Sequence, residues 1–256
     1  MTLKIFITGA SSGIGEALAV YYASRGAQLG LAARRGELLA ALDARLGGGH
    51  ACYPLDVADA PALRAAAADF VARFGAPDIV IANAGVSTGT LTEHAEDLAA
   101  FRRLMDINVV GMAATFAPFI PAMRAAGGRR RLVGIASVAG IRGLPGAAAY
   151  SASKAATIAY LESLRLEMRP LGIEVLTIAP GYIATPMTAI NPYPMPFLMP
   201  AEKAAARFAA AIERSVSYTV IPWPMGIVAK LLRLLPNWLY DRLFAKAPRK
   251  PRGLLK

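Results

Sequence analysis

The sequence predicts a doubly wound α/β fold, a parallel sheet covered by helices on both faces. Three observations predict it. Short runs that are apolar throughout alternate with helix-period segments along the first half of the chain, and strands with no polar face belong in a parallel sheet buried on both sides. A glycine turn, Thr8-Gly9-Ala10-Ser11-Ser12-Gly13-Ile14-Gly15, joins the first such run to the first helix. The 256 residues fit one large α/β domain able to bury a sizeable core.

In order, Leu3 to Ile7 reads as a strand, and Ile14, Leu18, Tyr21 and Tyr22 recur at helical spacing until Gly26. Ala27 to Ala33 is a second strand, followed by a helix carrying Leu38, Leu39, Leu42 and Leu46 and the loop Gly47-Gly48-Gly49. Cys52 to Leu55 is a third strand, and Leu63, Phe70, Val71 and Phe74 mark a helix closed by Gly75. Ile79 to Ala82 is a fourth strand, and a long helix over Leu98 to Met123 should bend near Pro118 and Pro121. Leu132 to Ala136, Val175 to Ala179 and Tyr218 to Ile221 complete seven strands, with a long helix over Tyr150 to Leu171. Residues 1–222 form the catalytic domain, including a lid over 182–200, and 223–256 form a C-terminal extension.

Composition narrows the classes. Hydrophobic residues make up 55% of the chain, yet the most apolar stretch, Leu104 to Met123, contains Asp106 and Asn108, which argues against a membrane span. A single cysteine, Cys52, excludes an internal disulfide and suits a reducing compartment. With no signal-peptide pattern at the N-terminus, the cytoplasm is the expected location. The net charge of +11 is uneven: eight bases and one acid, Asp241, lie from Trp223 onward. No nucleic-acid motif accompanies that charge.

The glycine turn carries the first chemistry. A glycine turn feeding a helix N-terminus exposes unpaired N–H groups and the positive end of the helix dipole, a seat for phosphate. A tight turn without a ligand is the alternative reading. At the end of the second strand an acidic side chain would take ribose hydroxyls, whereas an arginine accommodates a 2′-phosphate. Arg34 and Arg35 stand there without an acid, which favours NADP(H) over NAD(H). Asp56 with Val57, and Asn83-Ala84-Gly85, follow the third and fourth strands where the edge of a cofactor would pass, although ordinary turn chemistry suits either.

The second chemical stretch is Tyr150-Ser151-Ala152-Ser153-Lys154. One helical turn apart, a phenol and an ammonium approach the same point. An ammonium favours the phenolate, and bringing a phenol from about 10 to about 7 corresponds to about 4 kcal/mol. That places the tyrosine in range for general acid/base work. Ser137, directly after the fifth strand, could donate to a carbonyl oxygen as charge develops. Asn108 could break the long helix and hold a water that relays protons to Lys154.

Together these stretches resemble the short-chain dehydrogenase/reductase family over roughly Lys4 to Met187. The T-G-x-x-x-G-x-G loop, D-V, N-A-G, Asn108, Ser137, Y-x-x-x-K and Pro180-Gly181 occur in the family's order. The resemblance implies a Rossmann-like fold and hydride exchange between NADP(H) and a carbonyl or alcohol. It makes Tyr150 the acid/base, Lys154 its pKa modulator and a ribose contact, Ser137 the carbonyl orienter and Asn108 the relay anchor. It assigns Gly9, Ser11, Ser12, Gly13, Ile14 and Gly15 to the phosphates, and Ile183 and Thr185 to the nicotinamide carboxamide. It also implies a homodimer or homotetramer, and no metal.

Beyond Thr185 the residues speak for themselves. Met187, Met195, Phe197, Leu198 and Met199 between repeated prolines suit an apolar lid and a hydrophobic carbonyl substrate, with core packing as the alternative. Ile227, Val228, Leu231, Leu232, Leu234 and Leu235, then Trp238, Leu239, Leu243 and Phe244, with many bases describe a helical segment in an anionic membrane interface, or a subunit contact. Pro222-Trp223-Pro224 should project it away from the sheet. A small soluble substrate, such as a 3-oxoacyl thioester, sugar or hydroxy acid, and a cofactor-binding regulator without turnover remain the other functional readings.

Overall fold

The computed structural model describes residues 2–253. Seven parallel strands form one sheet in the order β3-β2-β1-β4-β5-β6-β9, with helices on both faces. They are β1 (Lys4–Thr8), β2 (Gln28–Ala33), β3 (Ala51–Pro54), β4 (Ile79–Ala82), β5 (Arg130–Ile135), β6 (Ile173–Pro180) and β9 (Tyr218–Ile221). All seven expected strands are present, shifted by a residue or two at their ends. A second, two-stranded parallel sheet joins β7 (Ile183–Ala184) to β8 (Met199–Pro200).

Alternation along β1 divides the core. Ile5 and Ile7 face one side with Leu29, Leu31, Leu18 and Tyr22, whereas Phe6 faces the other with Phe70, Phe116, Phe119 and Leu161. Phe6, Phe70, Phe116 and Phe119 are fully buried, and burial of such a side chain contributes about 1.5–3 kcal/mol. The rings of Phe6 and Phe70 cross edge-on at 5.7 Å and leave no space above Gly30, where a Cβ would lie 2.6 Å from Phe6.

Helices α1 (Gly13–Ala23) and α2 (Gly36–Arg45) cover the first face, and α3 (Ala60–Phe74) the second. The long helical segment Asp97–Ala126 is apolar enough to cross a membrane by length and composition. Here it lies in the core, with Leu104, Ile107, Met112, Phe116 and Met123 buried. It is broken twice. A π-helical turn, Asp106–Val110, separates α4 (Asp97–Met105) from α5 (Gly111–Phe116), and a 3-10 turn, Ala117–Phe119, precedes α6 (Ile120–Ala126). The second break contains Pro118, as the proline rule requires.

Helix α7 (Ala148–Met168) follows β5. After the short lid helix α8 (Pro186–Ala189), helix α9 (Ala201–Glu213) buries Ala204, Ala205, Phe208, Ala209 and Ile212 beside α1. No helix was expected there, although Glu202, Lys203, Arg207 and Glu213 lie on its exposed side opposite that buried face.

The extension forms α10 (Trp223–Leu234) and α11 (Asn237–Phe244), but it does not project away. Met225, Ala229 and Tyr240 are buried against the body, and a Cβ on Gly226 would lie 3.1 Å from Val220 of β9. The Arg142 guanidinium donates to the carbonyls of Leu232, Arg233 and Leu235 at 3.0, 3.1 and 2.9 Å, closing the C-terminal end of α10. It also stacks on the Tyr240 ring, whose hydroxyl donates to Gly143 O at 2.6 Å. The inward apolar residues and this one arginine hold the segment that the prolines were expected to release.

Candidate active site

The chain runs outward from β1 to β2 and β3, then returns to place β4 on the other side of β1. Such a reversal opens a crevice at the carboxyl ends of the strands, the place where sheets of this kind bind ligands. The crevice runs from the glycine turn past Arg34, Arg35, Asp56 and Asn83 to Ser137, Tyr150, Lys154 and Thr185.

Thr8 and Asn83 build its floor. Thr8 Oγ1 accepts from the main-chain N–H groups of Asn83 and Ala84 at 3.1 and 3.2 Å. The Asn83 side chain donates to the carbonyls of Thr8 and Gly9 at 3.0 and 3.3 Å. The N-A-G stretch therefore buttresses the glycine turn as well as leaving room beside it, and Thr8, the first residue of the T-G-x-x-x-G-x-G loop, is a positioning residue that ties the two together. Gly15 is required by close approach, since a Cβ would lie 2.2 Å from Gly9 O and 2.6 Å from Asn83 Nδ2. The backbone cradle that a phosphate needs would be filled by any side chain at that position.

Arg34 and Arg35 are exposed at the adenosine end of the crevice. The Arg35 guanidinium donates to Ser11 Oγ and Ser12 Oγ at 3.0 and 2.8 Å, so a cation already borders the phosphate seat. Asp56 accepts from Ala58 N at 2.9 Å and pairs with the Arg103 guanidinium. Burial opposes its ionisation, but the Ala58 N–H and Arg103 together hold the carboxyl below its usual range. Val57 is buried beneath Gly111, and Ile183 is buried in β7. Pro180, Gly181, Ile183 and Thr185 line the far end. Thr185 is fixed by Thr188, whose Oγ1 accepts from the Thr185 N–H at 3.0 Å.

Helix α7 brings Tyr150 and Lys154 to the crevice beside Ser137. Lys154 is buried to 4% exposure, and its Nζ donates to Ile135 O at 2.8 Å. Burial lowers its ammonium to about 8. Burial also raises the Tyr150 phenol, while its hydrogen bond with Ser137 acts in the opposite sense. The net shift is upward, opposite to the lowering expected from the spacing of Tyr150 and Lys154. Ser137 Oγ accepts from Ala139 N at 3.1 Å, which leaves its own hydrogen to donate.

Asn108 is fully buried in the π-helical turn, the helix break expected of it. Its side chain is spent on structure. Oδ1 accepts from Val86 N at 2.9 Å, and Nδ2 donates to Val86 O and Ser153 Oγ at 3.1 and 2.9 Å. The side chain thus has no donor left for a water, and its main-chain carbonyl, which accepts from Thr157 Oγ1 at 3.2 Å, keeps a second lone pair.

The lid closes on itself through β7 and β8. Met199 is buried there, whereas Phe197 and Leu198 are 52% and 46% exposed, so core packing describes Met199 and solvent the other two. Met187 is the lid methionine that reaches the crevice. Sequence reasoning missed Lys250, whose Nζ donates to Ser87 Oγ and Met187 O at 3.1 and 3.3 Å from the returning C-terminal strap. Nothing in its local sequence, one base among several, distinguishes it. Among the described residues no group of metal-ligating side chains is present.

This fold and site carry the signature of nicotinamide-dependent oxidoreductases, and the comparisons agree. The profile described as "short chain dehydrogenase" matches residues 4–192, and the chain belongs to that family. An "Uncharacterized oxidoreductase" from Myxococcus xanthus is 40% identical over 240 residues, which are 92% of this chain and 93% of the relative. The "2-dehydro-3-deoxy-L-rhamnonate dehydrogenase (NAD(+))" of a Sphingomonas species is 35% identical over 71% of this chain and 72% of its own length. A short chain dehydrogenase from Burkholderia cenocepacia, solved in complex with NADP, superposes with a TM-score of 0.81 at 26% identity, covering 94% of this chain and 97% of that one. The chain is thus an oxidoreductase of the short-chain type with a site for a nicotinamide cofactor.

Proposed function

We propose that this chain is an NADP(H)-dependent reductase of apolar ketones. The observation that carries the chemistry is the convergence of Ser137, Tyr150 and Lys154 on the crevice that begins at the glycine turn. When bound, the nicotinamide supplies or accepts the hydride, which is the part of the reaction that side chains cannot perform. The glycine turn, Arg34 and Arg35 would hold its phosphates, Asp56 the adenine edge, Lys154 the ribose, and Ile183 and Thr185 the carboxamide.

The protein's own groups handle the oxygen. Ser137, its acceptor side tied to Ala139, donates to the carbonyl oxygen and fixes its direction. Tyr150 gives up its proton to that oxygen in reduction and takes it back in oxidation. The Lys154 ammonium stabilises the phenolate left behind, and the crevice excludes the water that would screen that charge. The Asn108 carbonyl, in the π-helical turn, offers a water site on the path by which Tyr150 is reprotonated.

Arg35 beside Ser11 and Ser12 supports the phosphorylated cofactor, because a guanidinium favours a 2′-phosphate that an acid in that position would repel. Met187, Val86 and Ile107 on the wall of the crevice support an apolar substrate. One observation favours a second reading, a small oxo or hydroxy acid. Lys250 is 9% exposed with only neutral acceptors, and burial lowers its ammonium to about 8. A buried ammonium without a counter-ion would welcome a carboxylate.

The deciding experiment is cofactor oxidation with NADPH and NADH across paired ketones, each acid beside its methyl ester, in short and long chains. Faster turnover of NADPH and of the long neutral ketones is expected. Preference for NADH, or for the acids, would replace the corresponding half of the reading.

A further inference from the structure

Large apolar side chains are exposed on both helices of the extension. On α10, Trp223, Ile227, Leu231 and Leu234 are 67, 51, 59 and 80% exposed. On α11, Trp238 and Leu243 are 68 and 60% exposed. The positions 223, 227, 231 and 234 repeat at the helical period, so they form one stripe. Isolated exposed apolar residues are ordinary on a protein surface, but a continuous stripe of this kind marks a binding face.

The surroundings of the stripe are basic. Lys230 and Arg233 on α10, and Arg242 and Lys246 in and after α11, are exposed and form no ion pair among the described residues. Asp241 is the one acid from Trp223 onward. The stripe is also held rigidly. Met225, Ala229 and Tyr240 pack inward, and Arg142 ties the end of α10 to the loop that follows Ser137. A helix that turned its apolar face outward only by fraying would not show this second, buried face.

We infer that the outer face of α10 and α11 docks on an anionic lipid bilayer, the two tryptophans and the leucines entering the interface and Lys230, Arg233, Arg242 and Lys246 meeting the headgroups. Charge decides between the occupants. A second copy of this chain would bring the same unpaired bases to the same face, and like charges would oppose the contact. An anionic bilayer supplies both an apolar phase for the stripe and counter-charge for its border. The inference goes beyond the proposed reaction and does not rest on it. Docked this way, the loop after Ser137 lies next to the interface, so an apolar substrate would have a short path from the bilayer.

The chain contains two tryptophans, and both are exposed on the extension, so tryptophan fluorescence reports on this segment. Full-length protein is titrated with vesicles of phosphatidylcholine, with and without about 30 mol% phosphatidylglycerol, and the emission maximum and the pelleted fraction are recorded. A blue shift and pelleting with the anionic vesicles are expected, weakened about tenfold or more by 0.5 M sodium chloride. The double variant L231E/L234E should lose both signals while retaining the wild-type melting temperature and its turnover of a small soluble ketone. K230E/R233E, which leaves the apolar stripe intact, should lose binding to the anionic vesicles. Absence of shift and pelleting with both vesicle types overturns the inference, as does undiminished binding of the two variants. A dimer in solution that L231E/L234E dissociates, without vesicle binding, would give the face to a second copy and equally overturn it. Loss of turnover in all proteins, with vesicle binding intact, would count against the proposed reaction only.

Discussion

Replacing Lys154 by methionine should remove activity while sparing, or raising, stability. The ammonium is 4% exposed and lowered from 10.5 to about 8. That depression corresponds to about 3 kcal/mol of destabilisation whenever the side chain is charged in the fold. Methionine removes this cost but leaves Ile135 O without its donor, a loss of about 1–3 kcal/mol. The variant should therefore lie between wild-type stability and about 2 kcal/mol above it at pH 7. The pH dependence has a definite sign. Because the folded pKa lies below the unfolded one, the folded state loses this proton first, and wild-type stability rises between about pH 8 and pH 10. Lys250 acts in the same window, so the variant should show a reduced rise rather than none. Above pH 10 the trend turns downward, because burial raises the phenols of Tyr22 and Tyr53 and the folded state then retains protons that the unfolded chain releases. Activity should respond differently. Burial raises the Tyr150 phenol, so the phenolate that alcohol oxidation requires depends on nearby positive charge, and the variant removes the Lys154 ammonium. Thermal melts from pH 6 to 11 and alcohol oxidation from pH 6 to 10 test both halves. A fall in oxidation of about a hundredfold or more at pH 7, smaller at higher pH, is expected. A variant that is several kcal/mol less stable, or one whose pH–rate profile matches the wild type, would refute the reasoning.

Other perturbations probe separate parts of the site and its frame. The double variant R34A/R35A should raise the KM for NADPH about 10–100-fold and leave that for NADH within about threefold, since lost charged hydrogen bonds are worth about 1.5–3 kcal/mol. G15A places a Cβ 2.2 Å from a main-chain carbonyl that cannot swing aside, so it should cost about 1–3 kcal/mol and abolish the thermal stabilisation given by added cofactor. R142A removes the donor that closes the end of α10 and should make 223–253 susceptible to limited proteolysis while the remaining domain resists.

Much of the frame was legible because its signals are local. A strand buried on both faces must be apolar throughout, and a turn that lets Gly9 O approach Gly15 must contain glycine, so both conditions leave a mark in consecutive residues. The spacing of Tyr150 and Lys154 was readable for the same reason. Their pKa values were not, because desolvation depends on everything packed around α7, and it reverses the shift that the pair alone suggests. Thr8 was visible in its loop motif but its role in joining two loops 75 residues apart was not, and Lys250, 163 residues from Ser87, acts through the fold rather than through a pattern. Helix α9 went unread although Phe208 and Ile212 recur at helical spacing on its buried side and Glu202, Lys203, Arg207 and Glu213 lie on the exposed one.

The extension shows how a local rule can be correct and its consequence wrong. Prolines at 222 and 224 do end β9 and start α10, as their missing N–H groups demand. Where the new helix then goes is decided by what its faces meet. Met225, Ala229 and Tyr240 bury against the body, and Arg142 satisfies carbonyls that the end of α10 would otherwise leave to water. Beyond α11 the strap continues inward, with Arg252 paired to Asp97 at 2.8 Å and Lys250 bridging Ser87 and the lid at Met187. One segment therefore presents an apolar, basic face outward and an ammonium to the rim of the crevice. Arg142 fixes the end of α10, while Arg252 and Lys250 fix the strap through contacts of their own, so the two halves of the segment are anchored separately.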